Sequence, residues 1–368
     1  MKTSRSFLNL VSLLGAAGLL AACGSDGTPS VSASGAGTGA GSASASGTVT
    51  GFGSVFVNGK KYEANNVTVR TDDGNERSCS INASDSCGIK KGMMVTVNGS
   101  FNGTQHTAAV VQQQDAVQGL VQSVDVAGSS LIVMGQTVVV DETTIVDNSV
   151  PGQDVRNLVS GTDVVEVNGH IRPDGVIQAT FIEKKLINVT PKVRGFVKNH
   201  NDGAKTFQIG SLTVNYATAL INDMANPSTA SWNGLLVEAK GTQFTVTTIT
   251  LTATKVEAEH QGISNQVDEL EVEGYVTQVR GTGDFFIGST LVQTTGNTEF
   301  RGGAIDEILV GAKLSAEGRW ENGVLVAKHV KFHASVKIEG AIATIGTNSF
   351  TLTDLPGVTV TVNSQTEL

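Results

Sequence analysis

The sequence is poor in aromatic and charged residues. Only 5% of its 368 residues are Phe, Trp or Tyr, and only 16% are charged. Proteins that bind single-stranded nucleic acid stack bases on aromatic rings and contact phosphates with Lys and Arg. The formal net charge is −9, and it becomes two units more negative if a leader containing Lys2 and Arg5 is removed. This balance repels nucleic acid, so we expect no nucleic-acid partner.

Common catalytic motifs are also missing. The sequence has no Gly-x-Ser-x-Gly elbow, no phosphate-binding loop ending in Gly-Lys-Ser or Gly-Lys-Thr, and no calcium loop of the Asp-x-Asp-x-Asp-Gly type. These patterns place nucleophiles, phosphates and cations in well-known enzymes and cation-binding proteins. The sequence therefore predicts a protein that is not an enzyme and that needs no cofactor or metal.

Histidines and carboxylates offer two weaker candidates for a metal site. His329 and His333 have a spacing that chelates a metal on a helix, but residues 324–332 alternate like a strand, where positions four apart are separated by about 13 Å. The run from Glu257 to Glu273 holds six carboxylates. It is either a calcium site or an acidic, solvated linker whose strand charges alternate, and we favour the linker.

The N-terminus has the pattern of an exported lipoprotein. Two basic residues precede an apolar stretch from Phe7 to Leu20, which is shorter than the ~20 residues that span a bilayer. Leu20-Ala21-Ala22-Cys23 follows and is similar to a bacterial lipobox, in which the cysteine is lipidated before cleavage. We therefore predict a signal peptide over residues 1–22 and a lipid on Cys23. Gly24, rather than Asp, favours sorting to the outer membrane. An ordinary signal-peptidase site is the alternative.

Residues 23–47 contain mostly Gly, Ser, Ala and Thr. Such a segment buries too little apolar surface to offset its chain entropy. We therefore predict a flexible linker between the lipid and a folded part that begins at residue 48. The other two cysteines, Cys79 and Cys87, are close in sequence. In an oxidising compartment a disulfide is the expected state of such a pair, and a zinc site is the alternative.

The rest of the chain repeats itself. Five segments open with an apolar residue, a variable residue and Gly: Val49-Thr50-Gly51, Val117-Gln118-Gly119, Val193-Arg194-Gly195, Val272-Glu273-Gly274 and Ile338-Glu339-Gly340. Four of them also contain a strand pattern enclosed by two glycines: Gly92–Gly99, Gly161–Gly169, Gly234–Gly241 and Gly311–Gly318. This periodicity predicts repeats over residues 48–114, 115–190, 191–261 and 262–334, followed by a partial repeat over 335–368.

Each repeat has the pattern of a small all-β domain. In the second repeat, five alternating segments are separated by turn residues, and helix-like pieces such as Asp154–Val159 and Ala304–Leu309 precede the fourth segment. Five strands with a short helix between the third and fourth are typical of the OB-fold barrel. The sequence therefore predicts tandem five-stranded, OB-like barrels behind a disordered tether. A simple β-sandwich is the alternative.

The segment Gly51–Gly59 (GFGSVFVNG), the opening glycines and the glycine-enclosed strands resemble a bacterial family known as domain of unknown function 5666. The resemblance covers most of residues 48–368. It implies tandem OB-like domains in secreted or lipid-anchored proteins, and it implies no catalytic residues. Together these observations predict a membrane-tethered envelope protein that binds another envelope protein or scaffolds an assembly. The alternative is binding of a carbohydrate or small ligand by the barrels.

Overall fold

The structure is a computed structural model. It describes residues 41–333 and 340–362, except for positions 73, 84, 85, 126, 128, 187, 260–262, 264 and 265. The fold is all-β. Within the described residues the helical pieces are single 3₁₀ turns at Ser86–Gly88, Pro151–Gln153, Val155–Asn157 and Ile305–Glu307. None of these residues forms a helix long and apolar enough to cross a membrane.

The strands fall into four units and a final group, which we number in chain order. Unit 1 contains β1 Gly41–Gly51, β2 Val55–Val57, β3 Lys60–Glu63, β4 Val67–Arg70, β5 Glu76–Cys79, β6 Met94–Phe101 and β7 His106–Gln113. Unit 2 contains β8 Val117–Asp125, β9 Ser130–Val133, β10 Gln136–Val139, β11 Ile145–Val146, β12 Val164–Ile171 and β13 Ile177–Lys185.

Units 3 and 4 follow the same plan. Unit 3 contains β14 Lys192–Phe196, β15 Lys198–Asn201, β16 Thr206–Ile209, β17 Leu212–Asn215, β18 Leu220–Asn222, β19 Leu236–Thr245 and β20 Thr250–Ala258. Unit 4 contains β21 Gln266–Gly281, β22 Asp284–Ile287, β23 Thr290–Gln293, β24 Glu299–Arg301, β25 Lys313–Glu321 and β26 Val324–Phe332. The final group is β27 Ile342–Ile345, β28 Ser349–Leu352 and β29 Thr359–Thr361.

Units 2 and 4 are closed five-stranded barrels. In unit 2 the strands pair in the cycle β8–β9–β10–β13–β12–β8, and the β10–β13 pair is parallel. Unit 4 closes through the corresponding cycle β21–β22–β23–β26–β25–β21. Numbered within the unit, this order is 1-2-3-5-4-1, with the 3₁₀ turns between strands 3 and 4. The OB-like prediction is confirmed, because a two-layered sandwich would leave open sheet edges.

The same cycle of pairings occurs in units 1 and 3. Unit 1 follows β1–β2–β3–β7–β6–β1. In unit 3, β14 and β15 flank Val197 and together take the place of the first strand. A short additional strand between the third and fourth positions, such as β11 or β24, pairs parallel with the last strand of its unit.

The opening glycine of the repeat is explained by side-chain packing across the barrel. A Cβ atom at Gly119 would lie 1.9 Å from the Sδ atom of Met134, and one at Gly195 would lie 2.2 Å from Cγ2 of Ile209. Both neighbours are buried at the end of the second barrel strand. The missing side chain therefore leaves room for an apolar residue to enter the core.

The second glycine of each glycine-enclosed strand is required for a different reason, which is the close approach of the neighbouring strand. At Gly169 and Gly318 the ladder carries a β-bulge, and an added Cβ would lie 2.3 Å from the carbonyl oxygen of Gln178 or 2.0 Å from that of Val326. The partner strand approaches too closely for any side chain. The sequence motif is therefore the signature of a bulge in the fourth strand of the barrel.

The predicted linker boundary at residue 47 is wrong for positions 41–47. They belong to β1, which pairs antiparallel with β6 and, over Ala43–Ser46, parallel with β21 of unit 4. Ala43 and Ala45 are almost completely buried between these neighbours, so small residues are required there. Residues 1–40, including the predicted signal peptide and the rest of the linker, lie outside the described residues.

The barrels are joined in pairs by shared sheets. The β1–β21 pair joins units 1 and 4 in one 13-stranded sheet, and the β8–β14 pair joins units 2 and 3 in another. Units 2 and 3 also share one hydrophobic core, which includes Phe207 and Trp232, whereas units 1 and 4 have a core each. Strands β27–β29 form a small antiparallel sheet of their own.

Candidate ligand-binding cleft

An open cleft of about 750 Å³ lies between units 3 and 4. Unit 3 contributes residues 196–199, at the junction of β14 and β15, and residues 233–236, which lead into β19. Unit 4 contributes residues from the second half of β21 and from the end of β22, and Pro173 of the β12–β13 turn closes one side. The volume is within the range of small-molecule sites, about 300–1,000 Å³.

Two aromatic rings line this cleft. Phe196 and Phe286 are both half-buried, and the guanidinium carbon of Arg280 lies 4.6 Å from the centroid of the Phe286 ring. Phe196 directly follows the opening glycine of its unit. Half-buried aromatic residues, Phe52 and Tyr275, follow that glycine in units 1 and 4. Phe196 and Phe286 are thus not enclosed in a barrel core, since both reach the cleft.

The cleft is positively charged. Its lining includes Lys198 and Arg280 but no carboxylate. Within the part of the chain that the structure describes, neither cation forms an ion pair with an acidic side chain. Two amides beside them are fixed in place: the Nδ2 atom of Asn199 donates to Oε1 of Gln208 at 2.7 Å, and Oδ1 of Asn233 accepts from the backbone N–H of His200 at 2.9 Å. The arrangement suits an anion that also carries an apolar face.

Units 3 and 4, which line the cleft, are linked to each other by buried ion pairs that run through units 1 and 2. Where units 1, 2 and 3 meet, seven side chains form a cluster that we call the central junction: Asp72, Asp115, Lys192, Arg194, Glu238, Lys240 and Glu259. The Nζ atom of Lys192 lies 2.6 Å from Oδ2 of Asp115 and 3.3 Å from Oδ2 of Asp72. The Nε atom of Arg194 lies 2.7 Å from Oε2 of Glu259.

The central junction has four carboxyl groups and three cations, and its pKa values reflect this excess. Burial raises the pKa of Glu259 to about 7, although Arg194 opposes the shift. Burial also raises the pKa of Asp115 well above its usual range. For Asp72, burial disfavours the charged form, but the charges of Lys192 and Arg194 outweigh it and lower the pKa. Burial therefore favours the protonated form of Glu259 and Asp115 relative to the same groups in water.

A second junction joins units 1 and 4. The Nζ atom of Lys60 lies 2.7 Å from Oε1 of Glu269, 3.5 Å from Oε2 of Glu271 and 3.2 Å from Oε1 of Glu317. Oε1 of Glu269 is also 2.7 Å from Nε2 of His106. Burial raises the pKa of Glu271 to about 7, with Lys60 opposing and Glu317 adding to the shift.

A third junction joins units 2 and 4. Oε1 of Glu273 lies 2.7 Å from Nζ of Lys313 and 3.4 Å from Nε2 of His170, whose side chain is 3% exposed. The prediction of a solvated acidic linker is therefore wrong for Glu259, Glu271 and Glu273. The charges of β21 do alternate, as predicted, but the acidic face contacts other units instead of solvent.

The predicted Cys79–Cys87 disulfide is confirmed, and its Cα atoms are 6.3 Å apart. Both cysteines pack against the core of unit 1. Cys23 lies outside the described residues. His329 lies in β26, as its strand pattern predicts, and its Nδ1 atom is 3.1 Å from Oε2 of Glu299. Among the residues that the structure describes, no group of three or more His, Cys, Asp and Glu side chains is arranged to hold a metal.

Comparison with protein families gives one match. The model of a family described as a domain of unknown function (DUF5666) matches residues 118–183 and 273–331. The two matched segments coincide with the closed barrels of units 2 and 4, so the family resemblance is confirmed for these segments, and the description of DUF5666 names no activity. No curated protein matches the chain. Arg280 and Phe286 of the cleft lie in the second matched segment, whereas Phe196 and Lys198 belong to unit 3.

Proposed function

We propose that this chain is a non-enzymatic recognition protein of the bacterial cell envelope. In this proposal a lipid on Cys23 tethers it to the outer membrane, and a ligand binds between two of its barrels. The observation that carries the proposal is the cleft between units 3 and 4. It combines two accessible aromatic rings with two cations that have no acidic partner among the described residues.

The buried junctions support a preformed site. Displacing one barrel would separate charges that are now paired between units, such as Lys192 with Asp115 and Lys60 with Glu269. Leaving a buried charge without its partner costs about 3–5 kcal/mol. The two walls of the cleft are therefore held at a fixed separation, and a preorganised site loses less entropy when its ligand binds.

Ligand binding is tested by a thermal-shift screen of envelope-derived saccharides and small anions on the intact folded protein. We compare the wild type with Phe196→Leu and with Phe52→Leu, which changes the equivalent aromatic residue of unit 1. At least one compound should raise the melting temperature of the wild type and of Phe52→Leu but not that of Phe196→Leu. Equal responses in both variants, or no response in any protein, would contradict binding in the cleft.

The tether is tested separately. Cys23→Ser should release the protein from the membrane fraction of its native host, because one thioether-linked lipid anchor would be lost. Sedimentation of the variant with membranes at high salt would show that the lipobox interpretation is wrong.

Protein binding is a second candidate function. Large apolar side chains are exposed just before the glycine-enclosed strand in both segments that match DUF5666: Val159 is 55% exposed, Leu309 64% and Val310 56%. Repeated exposed apolar residues are typical of interaction surfaces. A photo-crosslinking residue at position 310 should then capture one defined envelope protein in the native host, and the same residue at the polar position Asp306 should not. Capture at both positions, or at neither, would speak against this surface.

A further inference from the structure

We propose that the cleft between units 3 and 4 binds an acidic oligosaccharide, whose carboxylate lies beside Arg280 and whose ring packs on Phe286 or Phe196. This inference rests on the proposed function in one respect, that the cleft is a ligand site. It adds the chemical class of the ligand.

The charge of the cleft is the first argument. The chain has 34 acidic and 25 basic residues, so a cation-lined cleft without a carboxylate departs from the rest of the molecule. Four smaller clefts, of about 290–390 Å³, each include at least one carboxylate: Glu317 in one, and Glu63, Glu238 and Asp147 in the others. The large cleft therefore attracts an anion where the surrounding surface repels it.

The geometry of Arg280 is the second argument. The guanidinium carbon of Arg280 lies over the Phe286 ring, 4.6 Å from its centroid, and this cation–π contact does not use the N–H donors of the group. The N–H donors of a guanidinium group lie in one plane and can bind both oxygens of a carboxylate. A carboxylate bound there places the adjoining part of the ligand next to an aromatic ring.

The other residues that line the cleft favour a sugar as the ligand. Pyranose rings present C–H groups that pack against aromatic faces, and their hydroxyls need both donors and acceptors. Gln278 and Asn233 of the cleft supply amide groups, and Ser289 supplies a hydroxyl. Two rings on opposite walls, Phe196 in unit 3 and Phe286 in unit 4, suit a ligand of more than one residue. An open cleft also allows a chain to enter and leave at its ends.

The test is calorimetric titration of the intact folded protein with three acidic trisaccharides, built from galacturonic, glucuronic and mannuronic acid, and with their neutral counterparts. Arg280→Gln removes the cation, and Phe286→Leu removes the ring. The matched control is Arg301→Gln, an exposed arginine of the same unit that pairs with Glu299 outside the cleft. Melting temperatures of all variants establish that they fold.

At least one acidic trisaccharide should bind the wild type and Arg301→Gln at least about tenfold more tightly than its neutral counterpart, because a charge-assisted bidentate contact contributes about that much. Arg280→Gln should remove this preference, and Phe286→Leu should weaken binding of both forms. Affinity should fall as salt is added.

Two outcomes overturn the inference and leave the proposed function standing. One is binding of acidic and neutral trisaccharides with equal affinity. The other is failure of all acidic trisaccharides while a different compound, such as a phosphate ester or a peptide, depends on Phe196. If no compound depends on Phe196 either, both the inference and the proposed function are wrong.

Discussion

The Nζ atom of Lys192 lies 2.6 Å from the Oδ2 atom of Asp115, and the two side chains are 2% and 3% exposed. The pair lies where units 1, 2 and 3 meet, with Asp72 of unit 1 as a further partner of the same ammonium group. Each charge would cost several kcal/mol to bury alone, so the attraction between them is what makes the buried arrangement tolerable. The pair thus couples the positions of three barrels.

Lys192→Met is therefore expected to lower the free energy of unfolding by about 3–5 kcal/mol, because it removes the cation of Asp115 and leaves Asp72 with only the more distant Arg194 and Lys240. Chemical denaturation at pH 7 measures the change. Adding Asp115→Asn to this variant should recover part of the loss, since it removes one of the unpaired carboxylates.

Lys61→Met is the matched control for this prediction. The Nζ atom of Lys61 lies 2.6 Å from Oε1 of Glu63, and the two side chains are 49% and 22% exposed, so removal of Lys61 should cost less than about 1 kcal/mol. Equal losses for Lys61→Met and Lys192→Met would show that the buried pair has no special role in joining the barrels.

The raised pKa of Glu259 predicts the direction in which the stability of the protein changes with pH. In the unfolded chain its carboxyl has an ordinary pKa of 4.5, and in the folded protein burial raises this pKa to about 7. Between these values the folded state binds more protons than the unfolded state, so the contribution of Glu259 to stability falls as pH rises. Gln resembles the protonated carboxyl and lacks this loss. The stability of Glu259→Gln relative to wild type should therefore rise by about 2 kcal/mol between pH 5 and pH 8.

The measurement is chemical denaturation of the wild type and of Glu259→Gln at a series of pH values from 5 to 8. A difference in stability that stays constant over this range would show that Glu259 is ionised in the folded protein throughout.

Local patterns predicted the barrels well. Alternation in residues 116–182 marked the strands of unit 2, and the repeated glycines marked an internal repeat, because both depend on neighbours within one unit. The disulfide followed from the spacing of Cys79 and Cys87 and from the expected compartment. By contrast, the start of β1 was missed, because Ala43 and Ala45 are buried yet too small to give a hydrophobic pattern.

The junctions and the cleft could not be predicted from sequence patterns, because their residues come from distant parts of the chain. Lys60 and Glu269 are 209 positions apart, and Phe196 and Phe286 belong to different units. Alternation of charge along β21 showed which residues share a face but not what that face contacts. The only local signal of the cleft was the aromatic residue after the opening glycine, and a buried core explained it equally well.

The bulge glycines predict an asymmetric effect of alanine substitution in unit 4. Gly318→Ala would place its Cβ atom 2.0 Å from the carbonyl oxygen of Val326, whereas Gly281→Ala would meet no atom within 4 Å. Overpacking of this kind costs about 1–3 kcal/mol. Thermal unfolding should therefore show a clear loss for Gly318→Ala and almost none for Gly281→Ala. Similar behaviour of the two variants would remove the bulge as the reason for the motif.

The Cys79–Cys87 disulfide is expected to stabilise unit 1. It closes a short loop with a sequence separation of eight residues, for which chain entropy gives about 2.5 kcal/mol. Replacing both cysteines with Ser should lower the free energy of unfolding by up to that amount. Addition of a reductant should destabilise the wild type similarly and leave the double variant unchanged. A reductant effect in the double variant would place the redox sensitivity elsewhere.

The last prediction concerns the strands that follow unit 4. The unit 4 barrel is closed by β21–β26, and within the described residues β27–β29 pair only with one another. Several apolar side chains of this small sheet face solvent, with Ile342 56% and Ile345 81% exposed. A chain ending at His333 keeps the hydrogen bond from its N–H to the carbonyl oxygen of Lys313, so the last barrel strand remains anchored.

Removing residues 334–368 should therefore leave the melting temperature unchanged and reduce aggregation, because exposed apolar strand edges promote association. Differential scanning calorimetry and light scattering of the two chains at equal concentration measure both effects. The matched comparison is a chain that keeps residues 334–368 but carries Ile345→Lys, which should aggregate less than the wild type without any truncation. If truncation instead lowers the melting temperature by more than about 4 °C, which corresponds to roughly 0.5–1 kcal/mol in a domain of 60–100 residues, β27–β29 contribute to the stability of the preceding barrel.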